Sequence, residues 1–81
     1  MKEWIDKLFE GFLPEDTLAK LRADYDRYQD VPLNQLGLDS MATMGLVIRL
    51  EERFGVEIDY ESFDIGALET LEKIRGFAGL P

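Results

Sequence analysis

Cysteine and histidine are both missing from this chain of 81 residues. Without cysteine there is no disulfide, no thiolate metal site and no cysteine nucleophile. Without histidine the commonest general base and zinc ligand are gone, and with them any Ser-His-Asp triad. Basic residues are scarce as well. Nine Lys and Arg stand against 17 Asp and Glu, for a formal net charge of −8. A nucleic-acid binder needs a cationic face to displace counterions from phosphates, and this chain has the opposite sign. An anionic membrane surface would repel it. No apolar run approaches the ~20 residues of a membrane span, and the N-terminus lacks a signal-peptide pattern. These absences describe a soluble, cytoplasmic protein with neither a nucleic-acid nor a membrane partner. The excess negative charge suits encounters with basic patches on other proteins, or serves solubility alone.

The length fits one domain, residues 1–81. A domain this small buries only about 60% of the surface its unfolded chain exposes, too little to support an enclosed active site. The chain shows no repeat, low-complexity run or linker. Trp4, Ile5, Leu8, Phe9 and Phe12 recur at the spacing of one helix face, with Lys2, Glu3, Asp6, Lys7 and Glu10 on the other side. Pro14 interrupts that pattern and suits the first turn of a new helix. Leu18, Leu21, Tyr25 and Tyr28 continue at helical spacing, which predicts a second, shorter helix over 15–28, although Asp24, Asp26 and Asp30 load its C-terminal end unfavourably. Residues 29–39 read as a loop punctuated by Pro32 and Gly37, pinned by Leu33, Leu36 and Leu38. Asp39 is a good N-cap for a strongly periodic helix from Ser40 to Phe54, with Gly55 as its C-cap. Val56 and Ile58 flank Glu57 in a short extended link. One helical turn is expected within Tyr60–Ile65, and a last helix over Leu68–Phe77 built on Leu68, Leu71, Ile74 and Phe77. No alternating strand pairs occur. The fold class is all-α, a small bundle of three main helices plus short helical segments.

The segment from Leu36 to Ile58 carries the functional information. Ser40 stands where a loop meets a helix, and unpaired N–H groups and the positive end of the dipole favour an anion there. On Asp39 and Ser40 alone, an ordinary helix cap is the simpler explanation. The helix that follows has two apolar stripes. Thr43, Leu46, Val47, Leu50 and Phe54 gather on one face, the expected core. Met41, Met44 and Ile48 gather nearly opposite, flanked by Glu51 and Glu52, with Arg49 and Arg53 between the stripes. A surface helix in a small bundle needs one apolar face. The second stripe either meets partner proteins, as charge-rimmed patches containing Met often do, or is covered by the first helix or the 29–39 loop.

This segment resembles the central signature of acyl and peptidyl carrier proteins. In that family a Leu-Gly-x-Asp-Ser loop presents the serine modified by phosphopantetheine, matched here by Leu36, Gly37, Asp39 and Ser40. A helix of the type marked by Leu46, Leu50, Glu51, Glu52 and Phe54 follows, then an x-Val-x-Ile link. The likeness is good over residues 33–77. It implies an acyl-carrier-protein-like fold, with Ser40 as the attachment site of a covalent 4′-phosphopantetheine supplied by coenzyme A. Asp39 would help position it for a phosphopantetheinyl transferase, and Met41, Met44, Ile48 and Glu52 would form the face that partner enzymes recognise. It also implies a non-catalytic carrier, a monomer, whose partners are that transferase, an acyl- or aminoacyl-loading enzyme and a downstream synthase or transferase. The arm brings its own thiol for a thioester, which fits a chain without cysteine, and tethering raises the effective concentration of the cargo.

The sequence departs from the family pattern in several places. Gly45 stands where fatty-acid carriers often have an acidic residue, and weakens a helix by roughly 0.5–1 kcal/mol relative to alanine; it points either to a tight contact or to partners unlike those of fatty-acid synthesis. Asp59-Tyr60 follows the isoleucine where many relatives have proline, and Pro14 breaks a first helix that is usually continuous. Asp39, rather than histidine, precedes the serine, as in acyl carriers and stand-alone aminoacyl carriers. Glu61-Ser62-Phe63-Asp64 resembles the matching stretch of D-alanyl carriers, while the cargo stays open among acyl, aminoacyl and peptidyl groups of fatty-acid, polyketide or nonribosomal-peptide type. Met1 and the ending Gly79-Leu80-Pro81 suit a free-standing protein, and a piece cut from a larger synthase is the other reading. The alternative function is an adaptor with the carrier fold that is never modified. A hydrolase using Ser40 lacks a base, a pocket and an oxyanion partner.

Overall fold

The computed structural model describes residues 2–81; Met1 lies outside the described residues. The elements are α1 (Glu3–Phe9), α2 (Glu15–Ala23), the single turn α3 (Tyr25–Tyr28), α4 (Ser40–Phe54) and α5 (Leu71–Ala78), with 3-10 turns at Leu33–Leu36 and Ile65–Leu68. Among the described residues the only β pairing is an isolated bridge between Glu10 and Leu13, so the architecture is all-α. No described helix is long and apolar enough to cross a membrane.

One hydrophobic core gathers the apolar stripes. Trp4, Ile5, Leu8 and Phe9 come from α1, Leu18 and Leu21 from α2, Leu46, Val47 and Leu50 from α4, and Leu71 and Ile74 from α5. Leu13, Leu33, Leu38 and Leu68 enter from the connections. The core stripe of α4 therefore faces inward, with Thr43 and Phe54 half-buried at its ends.

Four local expectations need correction. Phe12 does not extend the α1 stripe. The helix ends at Phe9, Gly11 takes a φ of +85°, and Phe12 lies in a tight turn whose N–H donates to Phe9 O at 2.8 Å; Pro14, which discourages helical geometry in the residue before it, sits just beyond. The predicted 15–28 helix is split at Asp24, whose φ and ψ of −137° and 53° are not helical. The break lets Tyr25 set its ring edge-on to Trp4, 6.3 Å between centroids, and donate its hydroxyl to Glu72 on α5. Within Tyr60–Ile65 the chain makes only a single hydrogen-bonded turn, the Ser62 N–H donating to Asp59 O at 3.1 Å, and the helical turn starts at the end of that stretch, over Ile65–Leu68, where Asp64 Oδ1 accepts from the Gly66 N–H. The last helix starts at Leu71, because the Thr70 hydroxyl accepts from the Lys73 N–H and caps it there.

The first half of the 29–39 loop is tied to the start of α5 and the residues just before it. Glu72 N–H donates to Gln29 O and Leu33 N–H donates to Glu69 O, at 3.0 and 2.9 Å. Leu33 and Leu38 are buried and Leu36 half-buried, as their spacing predicts. Gly37 closes the 3-10 turn with a φ of +103°, a left-handed conformation that side chains with a Cβ rarely adopt. Together these contacts fix the approach of the chain to Ser40.

Candidate functional site

Ser40 is the first residue of α4 and is exposed. Asp39 precedes it in extended conformation, and its Oδ1 accepts from the Ala42 N–H at 2.7 Å, the N-cap contact expected from the sequence. Its carbonyl also accepts from the Thr43 N–H and hydroxyl, both at 3.0 Å. The first N–H groups of a helix have no intrahelical acceptor, and Asp39 satisfies only that of Ala42. The Ser40 hydroxyl thus stands in solvent at the electropositive end of a helix of 15 residues.

Beside it runs an open groove of about 360 Å3. Leu33, Leu38, Ile65 and Leu68 give it an apolar floor, and Asn34, Thr43, Asp39 and Glu69 give it polar edges. A slender chain attached at Ser40 Oγ would find both apolar and hydrogen-bonding surface in this groove. The residues present fit a covalent phosphopantetheine.

The second stripe of α4 is uncovered. Met41 is 84% exposed, Met44 54% and Ile48 52%. Glu52 is also exposed and continues the line away from Ser40, while Glu51 is half-buried and accepts from the Tyr60 hydroxyl. Neither α1 nor the 29–39 loop lies over these residues: α1 packs against the opposite, inward side of α4, and the loop is spent on the core and on α5. The five residues from Ser40 to Glu52 that the sequence singled out share one exposed helix surface.

Two participants at this surface were not legible from spacing. The Phe12 ring lies against Gly45, where an added Cβ would come within 2.6 Å of Phe12 Cζ. Of the two explanations for Gly45, the tight contact is the one found. Arg49 secures the arrangement. Its guanidinium stands 4.4 Å from the centroid of the Phe12 ring and donates to Leu8 O and Glu10 O at 2.9 and 2.6 Å. The signal that could have found this pair was the glycine in mid-helix, since an uncompensated one is unfavourable.

A family model described as the phosphopantetheine attachment site matches residues 18–77. The chain belongs to this family. Its members, the acyl and peptidyl carrier proteins among them, bear a covalent 4′-phosphopantetheine. The matched span takes in α2 from Leu18 onward, the whole of α4 and α5 up to Phe77, and so both Ser40 and the groove; it leaves out α1 and Phe12. No curated protein and no solved structure matched the chain.

Proposed function

We propose that this chain is an acyl or aminoacyl carrier protein, residues 1–81 acting as one carrier unit with phosphopantetheine attached at Ser40. The observation that carries the reading is the position of Ser40: a solvent-exposed hydroxyl opening a capped helix, inside the span that matches the family. A phosphodiester on that oxygen would be stabilised by the helix N-terminus, and the arm supplies the thiol on which cargo is held as a thioester. The chain's own residues present the arm. Asp39 sets the start of α4 by its cap, Gly37 and Leu38 anchor the loop, and Met41, Met44, Ile48 and Glu52 offer the face on which partner enzymes dock. Chemistry belongs to those partners, which are a phosphopantetheinyl transferase, a loading enzyme for acyl or aminoacyl groups, and a synthase or transferase that consumes the product.

The test is intact mass after incubation with coenzyme A, magnesium and a broad-specificity phosphopantetheinyl transferase. One phosphopantetheine is gained per chain, and Ser40→Ala gains none while keeping its helical circular dichroism, because Asp39 still caps α4. Modification that persists in Ser40→Ala would move the site elsewhere. A wild-type chain that stays unmodified would favour the adaptor that works through protein contacts alone.

A further inference from the structure

The exposed apolar stripe of α4 does not stop at Ile48. It turns across Gly45 onto the half-buried ring of Phe12 and forms a second groove of about 260 Å3, lined by Phe12, Gly45, Ile48, Arg49, Glu52 and Arg53. Three features mark it as a pocket for a partner. The first is rigidity: Arg49 holds the Phe12 ring by its face and is itself tied to two carbonyls of the α1 end, so little side-chain entropy remains to be lost on docking. The second is the glycine, which lets an aromatic ring rest on a helix backbone at a distance no other residue permits. The third is charge. In a chain of net charge −8, this groove holds two arginines and one glutamate, and Arg53 is exposed with no ion pair among the described residues. The groove beside Ser40 has the opposite character, with Asp39 and Glu69 at its edge and no cation in its lining.

We infer that the Phe12–Ile48 groove is a docking pocket for the phosphopantetheinyl transferase, which seats an apolar side chain between Phe12 and Ile48 and an acidic one against Arg53. This rests on the reading of Ser40 as the modified residue. The occupant follows from reach. Enzymes that act on cargo approach the end of a long arm, but the transferase must bring its own centre to Ser40 Oγ. A specific contact covers on the order of 800 Å2 on each partner, a patch about 30 Å across. Along the axis of a helix rising 1.5 Å per residue, Ile48 lies about 12 Å and Arg53 about 20 Å beyond Ser40, within the span of a footprint that starts at Ser40 and runs down α4. The acidic edge of the Ser40 groove and the excess of arginine in the Phe12–Ile48 groove also set the direction of docking, since a reversed partner would place like charge on like.

The sign of one charge change separates this pocket from simple steering. If the transferase responds only to the overall negative field, Arg53→Glu makes the chain more attractive and lowers KM. If Arg53 meets an acidic residue in the pocket, the same change raises KM. The experiment is steady-state loading of the unmodified chain from coenzyme A by a broad-specificity transferase, followed by intact mass, with thermal melts alongside. Arg53→Glu and Phe12→Ala each raise KM about tenfold, the loss typical of one buried anchor, with kcat within a factor of about two of wild type. Gly45→Ala raises KM in the same way without lowering the melt, because its Cβ displaces the Phe12 ring while alanine favours the helix. Lys20→Glu, an equal charge change on the exposed side of α2, leaves KM unchanged. A KM for Arg53→Glu equal to or below wild type overturns the pocket, and this surface variant stays informative even if Phe12→Ala unfolds. A wild-type chain that gains no mass overturns the Ser40 reading instead, and the pocket with it.

Discussion

Leu50→Ala and Met44→Asp lie on opposite sides of the same helix and should behave in opposite ways. Leu50 is fully buried at the centre of the α4 stripe, in the core shared with α1 and α5. Truncation to alanine removes its apolar contacts and leaves a cavity that neighbours fill only in part, costing about 2–5 kcal/mol. A chain of 81 residues, at the usual 0.05–0.15 kcal/mol per residue, has a total stability of about 4–12 kcal/mol. The substitution therefore removes a large fraction, and the midpoint of thermal unfolding falls on the order of 10–30 °C. Met44 is 54% exposed, and aspartate there forfeits mainly helix propensity, about 0.5 kcal/mol. Its effect should be on partners: a carboxylate that resists desolvation now sits in the docking face beside Ser40, and loading by the transferase slows at least about tenfold. Melts followed by circular dichroism and loading rates taken below both transitions separate the two variants. If Met44→Asp melts as low as Leu50→Ala, the second stripe is core; if it loads at the wild-type rate, the stripe is not a docking face.

Asp39→Ala removes the acceptor for the Ala42 N–H and should lower stability by about 1 kcal/mol, with Asp39→Asn restoring most of it; denaturant titrations in which the alanine variant matches wild type would refute the capping role. The Tyr25–Glu72–Arg75 cluster makes stability depend on pH at both extremes. Arg75, followed by the Tyr25 hydroxyl, holds the Glu72 carboxyl below its ordinary 4.5 against the opposing effect of burial. A depressed folded-state value means that this stabilisation is complete above 4.5 and is lost as pH falls through the folded value. Burial, then the hydrogen bond to Glu72, pushes Tyr25 up to about 12 from 10.0, so stability falls as pH rises between those values, where the unfolded chain ionises first. Comparing wild type with Glu72→Gln by thermal melts across pH checks the acid limb: the gap between them is full at neutral pH and closes below about 4.5, and a constant gap would contradict it.

Short-range chemistry was enough to read α4 and its ends. Asp39 and Gly55 cap it because their side chain and backbone requirements are local, and the two stripes follow from helical geometry alone. The motif around Ser40 is equally local, which is why the sequence determined the family, the all-α class and the exposed serine. Contacts between distant parts of the chain decided the rest. Tyr25 leaves its predicted helix to meet Trp4 and Glu72, a pairing that no window of neighbouring residues contains. The loop before Ser40 takes its place through backbone bonds to Glu69 and to Glu72, about forty positions away. Phe12 has the same spacing as the α1 core residues, yet Gly11 and Pro14 turn it out of that helix and onto Gly45. Spacing shows which faces of a helix are apolar. Only the tertiary structure decides which face is covered, because that depends on where other elements find their own lowest free energy, and here they left Met41, Met44 and Ile48 facing outward with the half-buried ring of Phe12 beside them.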